Sequence, residues 1–183
     1  MSSWSEIARR IRVPLGFAVA ALYLWLARPA WRALAVGALM CLPGLWLRAL
    51  ASGHVRKNEE LTTSGPYAYT RNPLYLGSVL MAAGFAVAAR SWPVATILAI
   101  LFLAVYLPVI GAEENYLGAR FPEYAEYEKR VPRLIPLWNR KPVGQGRGKF
   151  SWALYRQHRE YQALLGSAAM LAALAAKLVW LSR

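Results

Sequence analysis

"PVATILAILFLAVYLPVIGA", residues 93–112, decides the fold, because its twenty residues include no charged side chain. An α-helix rises about 1.5 Å per residue, so a segment of this length crosses the hydrocarbon core of a bilayer, which is about 30 Å thick. A second uncharged stretch, "PLYLGSVLMAAGFAVAA", covers residues 73–89. The two stretches predict membrane-spanning helices at 93–116 and at 73–89.

Three shorter apolar segments extend the pattern over the rest of the chain. With their flanking residues, they predict further spans at 11–28, 31–52 and 160–181. Hydrophobic residues make up 57% of the 183 residues and charged residues 17%, against about 25% charged in an average soluble domain. Five such segments cannot all form the core of so small a soluble protein. The sequence therefore predicts a single all-α domain, 1–183, an integral membrane bundle of about five helices.

Charge is distributed unevenly across the predicted bundle. Most of the 22 lysine and arginine residues, and all nine acidic residues, belong to the N-terminus, the 48–72 loop or the 113–160 segment. By the positive-inside rule this side faces the cytoplasm, which makes the protein multi-pass, in the inner or plasma membrane if it is bacterial. The net charge of +13 then favours contact with anionic lipid headgroups over binding to nucleic acid.

Single basic residues and the one cysteine have simpler expected roles. Arg48 and Lys177 are expected to extend to the membrane interface with their stems alongside lipid. Arg130 and Arg133 are expected to bind headgroups or to fasten the C-terminal segment. Cys41 permits neither an internal disulfide nor a cysteine metal site, and we predict no metal.

Groups able to do polar chemistry are concentrated in residues 53–137. Within that region, "LTTSGPYAYTRNPLYLG" (61–77) leads into the third span. Tyr67 and Tyr75 offer faces on which an aromatic ring or a cation could lie. Arg71 can bind a carboxylate or a phosphate through its forked guanidinium. Taken singly, the tyrosines fit an interfacial belt better than a binding site.

Two adjacent carboxylates, Glu113 and Glu114, end the longest apolar run. Acidic residues at a helix C-terminus oppose the helix dipole, so helix stability does not favour this placement. The pair is either a solvated helix end paired with loop cations or a site for a cationic ligand. Pro108, about one turn earlier, is expected to bend the helix and open space beside the carboxylates. A short amphipathic helix at 122–130 and a flexible linker at 139–149 are predicted to follow.

The 61–77 segment is followed, beyond the fourth span, by "EENYLGARF" and then by "YEKRVPRLIP". In this order the segments resemble the isoprenylcysteine carboxyl methyltransferase and phospholipid methyltransferase superfamily, over residues 48–137. The resemblance implies a multi-helix membrane enzyme that uses S-adenosylmethionine without a Rossmann fold. It also implies a lipid-like or membrane-dissolved methyl acceptor. In keeping with this, the sequence contains no strand–GxGxxG–helix pattern.

By motif position, the resemblance assigns cofactor contacts to the loop before the third span, to the start of that span and to the first acid of the pair. These residues are Lys57, Glu59, Glu60, Leu61, Thr62, Tyr67, Asn72, Pro73, Leu74, Tyr75 and Glu113. Glu113 is expected to pair with the cofactor ammonium. Glu114 is a second cofactor contact or a general base, and Arg71 is expected to hold an anionic group of the cofactor or the acceptor.

Two departures from the superfamily pattern bear on the acceptor. The usual Arg-His-Pro is Arg71-Asn72-Pro73 here, and asparagine still offers a donor and an acceptor. The carboxyl methyltransferases carry an arginine about one turn before the acids; Val109 occupies that position here, and 91–119 contains no basic residue. Carboxyl O-methylation of an isoprenylcysteine-like acceptor nevertheless ranks slightly ahead. The alternatives, a phospholipid amine or a small thiol, must first lose a proton, and the chain has few obvious bases.

Two functions of other kinds stay open at this point. A non-enzymatic membrane adaptor would bind anionic lipids through its basic loops and would have no affinity for S-adenosylmethionine. A membrane reductase with a related helical arrangement would need a nicotinamide cofactor. The enzymatic hypothesis depends on one geometric expectation, that the tyrosine-bearing loop and the two acids lie close enough to contact one small molecule.

Overall fold

The computed structural model describes residues 16–56, 59–136 and 148–181, and within these ranges all regular secondary structure is helical. The seven α-helices described there are α1 (Gly16–Leu26), α2 (Trp31–Ser52), α3 (Pro73–Ala89), α4 (Trp92–Arg120), α5 (Tyr124–Arg130), α6 (Trp152–Gln157) and α7 (Tyr161–Leu181). One turn of 3-10 helix, Gly65–Ala68, lies in the loop between α2 and α3. The predicted all-α class is confirmed.

Three helices are long and apolar enough to cross a membrane by length and composition. They are α2, α4 and α7, with 22, 29 and 21 residues and mean hydropathies of 1.7, 2.5 and 1.9. The described part of α1 and the 17 residues of α3 are shorter apolar helices. Large apolar side chains such as Trp46, Leu103 and Leu165 are more than half exposed, as lipid-facing side chains are. The helical membrane bundle is confirmed, and the number of five crossings stays a prediction.

Glycines bring α2 and α3 into backbone contact. A Cβ atom added at Gly44 would lie 2.6 Å from the carbonyl oxygen of Gly77, and one added at Gly37 would lie 2.5 Å from that of Gly84. Small residues at such a spacing let two membrane helices approach closely, which increases their van der Waals contact. This packing fixes the end of α2 beside the start of α3, where the loop between them begins and ends.

Lys177 of α7 joins that helix to the end of α1. Its Nζ donates hydrogen bonds to the carbonyl oxygens of Leu24 at 2.6 Å, Trp25 at 3.1 Å and Ala27 at 2.7 Å. The last carbonyls of a helix have no helical partner and form the negative end of its dipole, so a cation suits this place. Lys177 thus donates to backbone carbonyls of the bundle, and its expected extension to the interface stays a prediction.

A π turn at Phe102–Tyr106 interrupts the α-helical pattern of α4. It lies directly before Pro108, which lacks the N–H group that a regular α-helix needs. The helix then continues to Arg120, beyond the expected end at residue 116, so Glu113 and Glu114 lie inside α4 and not at its end. Arg120 in the last turn favours this longer helix, because a cation interacts well with the helix C-terminus.

The segments after α4 agree partly with the sequence prediction. The amphipathic helix expected at 122–130 is α5, which begins two residues later, at Tyr124. The buried Tyr124 and Tyr127 of α5 and Val131, which follows the helix, form a small core against which Leu117 of α4 packs. The predicted linker at 139–149 lies, as far as residue 147, outside the described residues.

Candidate active site

A cavity of about 710 Å³ lies among α1, α2, α3, α4, α5, the start of α7 and the loop of residues 61–72, here called the hinge loop. Most of the predicted site residues line it, namely Glu60, Leu61, Thr62, Tyr67, Arg71, Asn72, Pro73, Leu74, Tyr75, Glu113 and Glu114. Glu59 is exposed and does not line the cavity, and Lys57 lies outside the described residues. The hinge loop and both acids border one space, whose volume is that of a typical small-molecule site.

The hinge loop is held in one shape by a left-handed glycine and by α5. Gly65 has φ of +57°, and a Cβ atom there would lie 2.6 Å from the ring of His54, so another residue would be strained and would clash. Tyr67, the next tyrosine along, is buried, and its carbonyl oxygen accepts a hydrogen bond of 2.7 Å from the Tyr127 hydroxyl. Burial, and then the charge of Glu113, raise the pKa of Tyr67. Its hydroxyl therefore stays protonated in the cavity wall.

Glu114 is the centre of a polar network that fastens the hinge loop to α4. Its Oε1 accepts a hydrogen bond of 2.9 Å from Nδ2 of Asn72 and lies 3.7 Å from Nη2 of Arg71. Its Oε2 lies 2.9 Å from Nε of Arg133, and only 11% of its side chain is exposed. Asn72 Nδ2 also donates to the Arg133 carbonyl oxygen at 3.1 Å. Two arginines thus neutralise Glu114, and Arg133 fastens the segment after α5, which was one of its two expected roles.

Arg71 lies between two carboxylates. It pairs with Glu128 of α5 as well as with Glu114, and its Nη1 donates to the Tyr124 hydroxyl at 3.2 Å. Burial opposes its charged form, but the hydrogen bond to Glu128 and the charge of Glu114 outweigh burial and raise its pKa. Its Nε is buried without a hydrogen-bond partner among the described residues. Because protein carboxylates already balance its charge, Arg71 holds the loop in place more directly than it offers an anion site.

Glu113 differs from Glu114 in its exposure and in its partners. Its side chain is exposed to the cavity, and its Oε2 accepts a single hydrogen bond of 3.0 Å, from the Tyr75 hydroxyl. Among the described residues no arginine or lysine pairs with it. The Tyr75 ring meets the Tyr106 ring edge to face at 6.0 Å. The cavity thus offers one carboxylate with no cationic partner, beside aromatic rings.

Arg48 and Glu160 form a second charged pair in the cavity wall. Arg48 Nη2 and Nε lie 2.7 and 3.1 Å from the two carboxylate oxygens of Glu160, while its Nη1 donates to Ser78 Oγ at 2.6 Å and to the Leu74 carbonyl at 3.2 Å. A Cβ atom on Gly77 would lie 2.6 Å from Arg48 Cγ, so the glycine makes room for the arginine stem. Arg48 thus makes its polar contacts within the bundle, with one carboxylate and two further oxygen acceptors, and its expected extension to the interface stays a prediction.

The segment before α7 packs on the end of α2. Ser151 N–H donates to the Gly53 carbonyl at 2.9 Å, and the Phe150 ring meets the His54 ring edge to face at 6.1 Å. Arg159, with φ of 55°, then turns the chain into α7. This path carries Glu160 into the cavity wall.

Several residues of this wall are not among those predicted from the sequence. Arg48, Ser78, Tyr106, Tyr124, Tyr127 and Glu160 all line the cavity. The tyrosines of α5 carried a signal, since an amphipathic helix beside the motif has to bury its apolar face somewhere. Arg48 and Glu160 carried none, because a lone cation and a lone acid 112 residues apart give no indication of pairing.

Two known proteins that are similar to the chain carry names of metal-resistance proteins. A cobalt-zinc-cadmium resistance protein, CzcN, of Cupriavidus metallidurans is 37% identical over 111 residues, 61% of this chain and 48% of that protein. A nickel-cobalt-cadmium resistance protein, NccN, of Alcaligenes xylosoxydans xylosoxydans is 38% identical over 92 residues, 50% of this chain and 42% of that protein. Within the part of the chain that the structure describes, no three His, Cys, Asp or Glu residues are grouped as a metal site would require.

A third relative carries an enzyme name. The protein-S-isoprenylcysteine O-methyltransferase of Schizosaccharomyces pombe is 33% identical over 82 residues, 44% of this chain and 35% of that protein. The chain thus spans less than half the length of each of these relatives. No solved structure matches it. Residues 12–123 match the phospholipid methyltransferase family, and the resemblance carried by the hinge loop and the two acids is confirmed. Since that match covers more than half of the 183 residues, the chain belongs to the phospholipid methyltransferase family.

Proposed function

We propose that the protein is an S-adenosylmethionine-dependent methyltransferase whose acceptor is dissolved in the membrane or carried by a lipid. The family supports methyl transfer, and so does the name of the S. pombe relative. The observation that carries the proposal is the contrast between the two acids. Glu114 is neutralised by two arginines, whereas the partner of Glu113 among the described residues is a tyrosine hydroxyl.

The residues present fit this cofactor. The Glu113 carboxylate has no cationic partner among the described residues, and the ammonium group of the cofactor can supply one. Tyr67 and Tyr75 supply aromatic surface for an adenine ring or a sulfonium. The cofactor, when bound, supplies a methyl group on a sulfonium, which is a good leaving group. The chain must therefore orient the acceptor in line and exclude water, and the hinge loop held by Glu114 and Arg71 provides a fixed wall for this.

The proposal also ranks three chemical classes of methyl acceptor. Carboxyl O-methylation of an isoprenylcysteine-like acceptor stays slightly ahead, because a carboxylate is already deprotonated at neutral pH. N-methylation of a phospholipid amine, supported by the family name, and S-methylation of a small thiol are the alternatives. Each of the alternatives needs a base, and Glu113 is the cavity carboxylate that no arginine neutralises among the described residues.

The proposed orientation places the cavity at the cytoplasmic side of an inner or plasma membrane. It is supported by the concentration of lysine and arginine on the side of the hinge loop and α5. Bulk cofactor would then reach the cavity from the cytoplasm, and a membrane-dissolved acceptor would reach it from the bilayer.

Calorimetry on the purified protein in lipid nanodiscs tests the proposal. Wild-type protein is expected to bind S-adenosylmethionine, and Glu113→Gln is expected to bind about tenfold more weakly, the scale of one charge-assisted contact. Glu126→Gln is the matched control, because Glu126 pairs with Arg130 on α5 and does not line the cavity. A wild-type protein that binds no S-adenosylmethionine refutes the proposal and favours the adaptor, and binding of a nicotinamide cofactor in its place favours the reductase.

The product then identifies the acceptor. Protein incubated with a membrane extract and methyl-labelled S-adenosylmethionine is expected to yield a labelled lipid-like product. A base-labile methyl ester supports the carboxylate, and a base-stable label supports the amine or the thiol.

A further inference from the structure

The pair of Arg48 and Glu160 has no part in the proposed function as stated so far, although both residues line the cavity. Their side chains are 22% and 12% exposed, so both charges are largely withdrawn from solvent. Taking two charges out of water is costly, and such a pair adds little to stability compared with apolar packing. The family match covers Arg48 but ends at residue 123, before Glu160.

Arg48 is held in place without the help of Glu160. Its Nη1 is fixed by Ser78 Oγ at 2.6 Å and by the Leu74 carbonyl at 3.2 Å, both on α3. Gly77 lets the arginine stem lie against α3. The opposite edge of the guanidinium, Nε and Nη2, is left for Glu160. Two parallel N–H groups at that edge match the two oxygens of a carboxylate.

The Glu160 carboxylate has Arg48 as its hydrogen-bond partner among the described residues, whereas Arg48 also donates to Ser78 and Leu74. Glu160 follows Arg159, whose backbone is left-handed at φ of 55°, and it stands between the six residues of α6 and the start of α7. α7 also packs much less extensively on α2 than α3 does. Rotation of one glutamate side chain would free the arginine edge without disturbing the contact of α2 with α3.

We propose that the Nε–Nη2 edge of Arg48 is a carboxylate-binding site of the cavity, which the Glu160 side chain occupies until a ligand carboxylate replaces it. The inference rests on the proposed function, which supplies two sources of a carboxylate, the cofactor and the acceptor. It also gives the chain a cationic handle for an anion, which the α4 sequence lacks at Val109. Because Glu160 competes for the site, the measured affinity for a ligand carboxylate is lower than the intrinsic affinity. The measured Kd equals the intrinsic Kd divided by the fraction of protein in which Glu160 has left the site.

A static role for the pair makes the opposite prediction. If Glu160 only fastens α7 to α2, Glu160→Gln lowers thermal stability and leaves ligand affinity unchanged or weaker. If Glu160 competes with a ligand, the same change strengthens the binding of ligands that carry a carboxylate and leaves the binding of matched ligands without one unchanged.

Two pairs of probes, measured by calorimetry in phosphatidylcholine nanodiscs, separate the sources. S-adenosylmethionine is compared with its decarboxylated form, which keeps the ammonium and the sulfonium. N-acetyl-S-farnesylcysteine is compared with its carboxamide. In Glu160→Gln, one carboxylate probe is expected to bind about tenfold more tightly, while its matched partner is unchanged, the scale of a charge-assisted hydrogen bond. The pair of probes whose carboxylate member binds more tightly in Glu160→Gln identifies the source of the carboxylate as the cofactor or the acceptor.

Arg48→Lys is the converse variant, since it keeps the charge but removes the forked edge. It is expected to weaken the same carboxylate probe about tenfold, because a lysine cannot make two parallel hydrogen bonds. Thermal unfolding of each variant separates loss of folded protein from a change of affinity, and Glu126→Gln again serves as the surface control. If Arg48→Lys does not fold, Glu160→Gln alone decides.

Three outcomes overturn the inference. One is that Glu160→Gln leaves both pairs of probes unchanged although the wild type binds S-adenosylmethionine, which leaves the proposed function standing. The second is that Glu160→Gln binds all probes more weakly, which means that the pair only holds α7 to α2. The third is that the wild type binds neither carboxylate probe, in which case the proposed function fails and the inference fails with it.

Discussion

The variants Glu114→Gln and Glu113→Gln test whether Glu114 stabilises the fold while Glu113 binds the ligand. In Glu114→Gln, one carboxylate oxygen becomes an NH₂ group, which donates and cannot accept. The variant therefore loses either the contact with Asn72 or the contact with Arg133, each of 2.9 Å in the wild type. The change also leaves Arg71 with Glu128 as its remaining carboxylate partner. We expect a loss of about 2–3 kcal/mol in the free energy of unfolding, less than for a fully buried pair because 45% of the Arg133 side chain is exposed.

Glu113→Gln is expected to behave in the opposite way. Its carboxylate is exposed and accepts one hydrogen bond from Tyr75, so stability should change by about 0.5 kcal/mol or less. Denaturant unfolding of the purified proteins in detergent measures both values, and calorimetry with S-adenosylmethionine measures the ligand side. The folded fraction of Glu114→Gln should still bind, whereas Glu113→Gln should not bind well. Equal losses of stability in the two variants, or a larger loss in Glu113→Gln, would refute this division of roles.

Three further changes test the framework of the site. Gly44→Ala should lose about 1–3 kcal/mol of stability, because its Cβ would lie 2.6 Å from the Gly77 carbonyl; Gly166→Ala, with nothing within 4 Å, should lose none. Lys177→Met should lose about 2–3 kcal/mol in the same unfolding assay, because three carbonyls at the end of α1 lose their donor. Burial and then Glu114 raise the pKa of Tyr124 from 10.0 to about 12, so its contribution to stability is complete below pH 10.0 and disappears as the pH rises towards 12. Unfolding followed by circular dichroism and tyrosinate absorbance should therefore show a loss of stability in that range, and an increase there would contradict the burial of Tyr124.

The apolar part of the fold could be predicted from sequence because lipid imposes a simple rule. A segment that crosses hydrocarbon has to be apolar and helical, so uncharged runs such as 73–89 identify helices directly. The same rule says nothing about which helices are neighbours. The glycines of α2 and α3 bring these two helices together. Neither Gly44 nor Gly77 can be told by sequence from Gly166, where an added Cβ atom would meet nothing within 4 Å.

Some polar contacts could likewise be predicted from the sequence and others could not. The motif on the hinge loop and the two acids identified nearly half of the cavity wall. The family resemblance linked these two segments although Asn72 and Glu114 are 42 positions apart, and outside the motif no such link was present in the sequence. Pairs that join distant segments could not be predicted, as the 153 residues between Lys177 and Leu24 illustrate. A cation at the end of an apolar run has several acceptors within reach of its flexible side chain, and only packing decides which one it meets.

Both acids line the cavity, and the π turn explains why periodicity could not say which of them pairs with the arginines. A single π turn adds about one residue to the helix, so every later side chain is rotated by about 100° from the direction that an uninterrupted α-helix would give it. Counted from the start of α4 without the turn at Phe102–Tyr106, Ala112 would point where Glu113 points, and Glu113 would take the place of Glu114 in the arginine network. The direction of the free carboxylate thus depends on an irregular turn of helix next to Pro108. A helix drawn from the apolar pattern alone would have placed a methyl group in the cavity and left the proposed cofactor without its counterion.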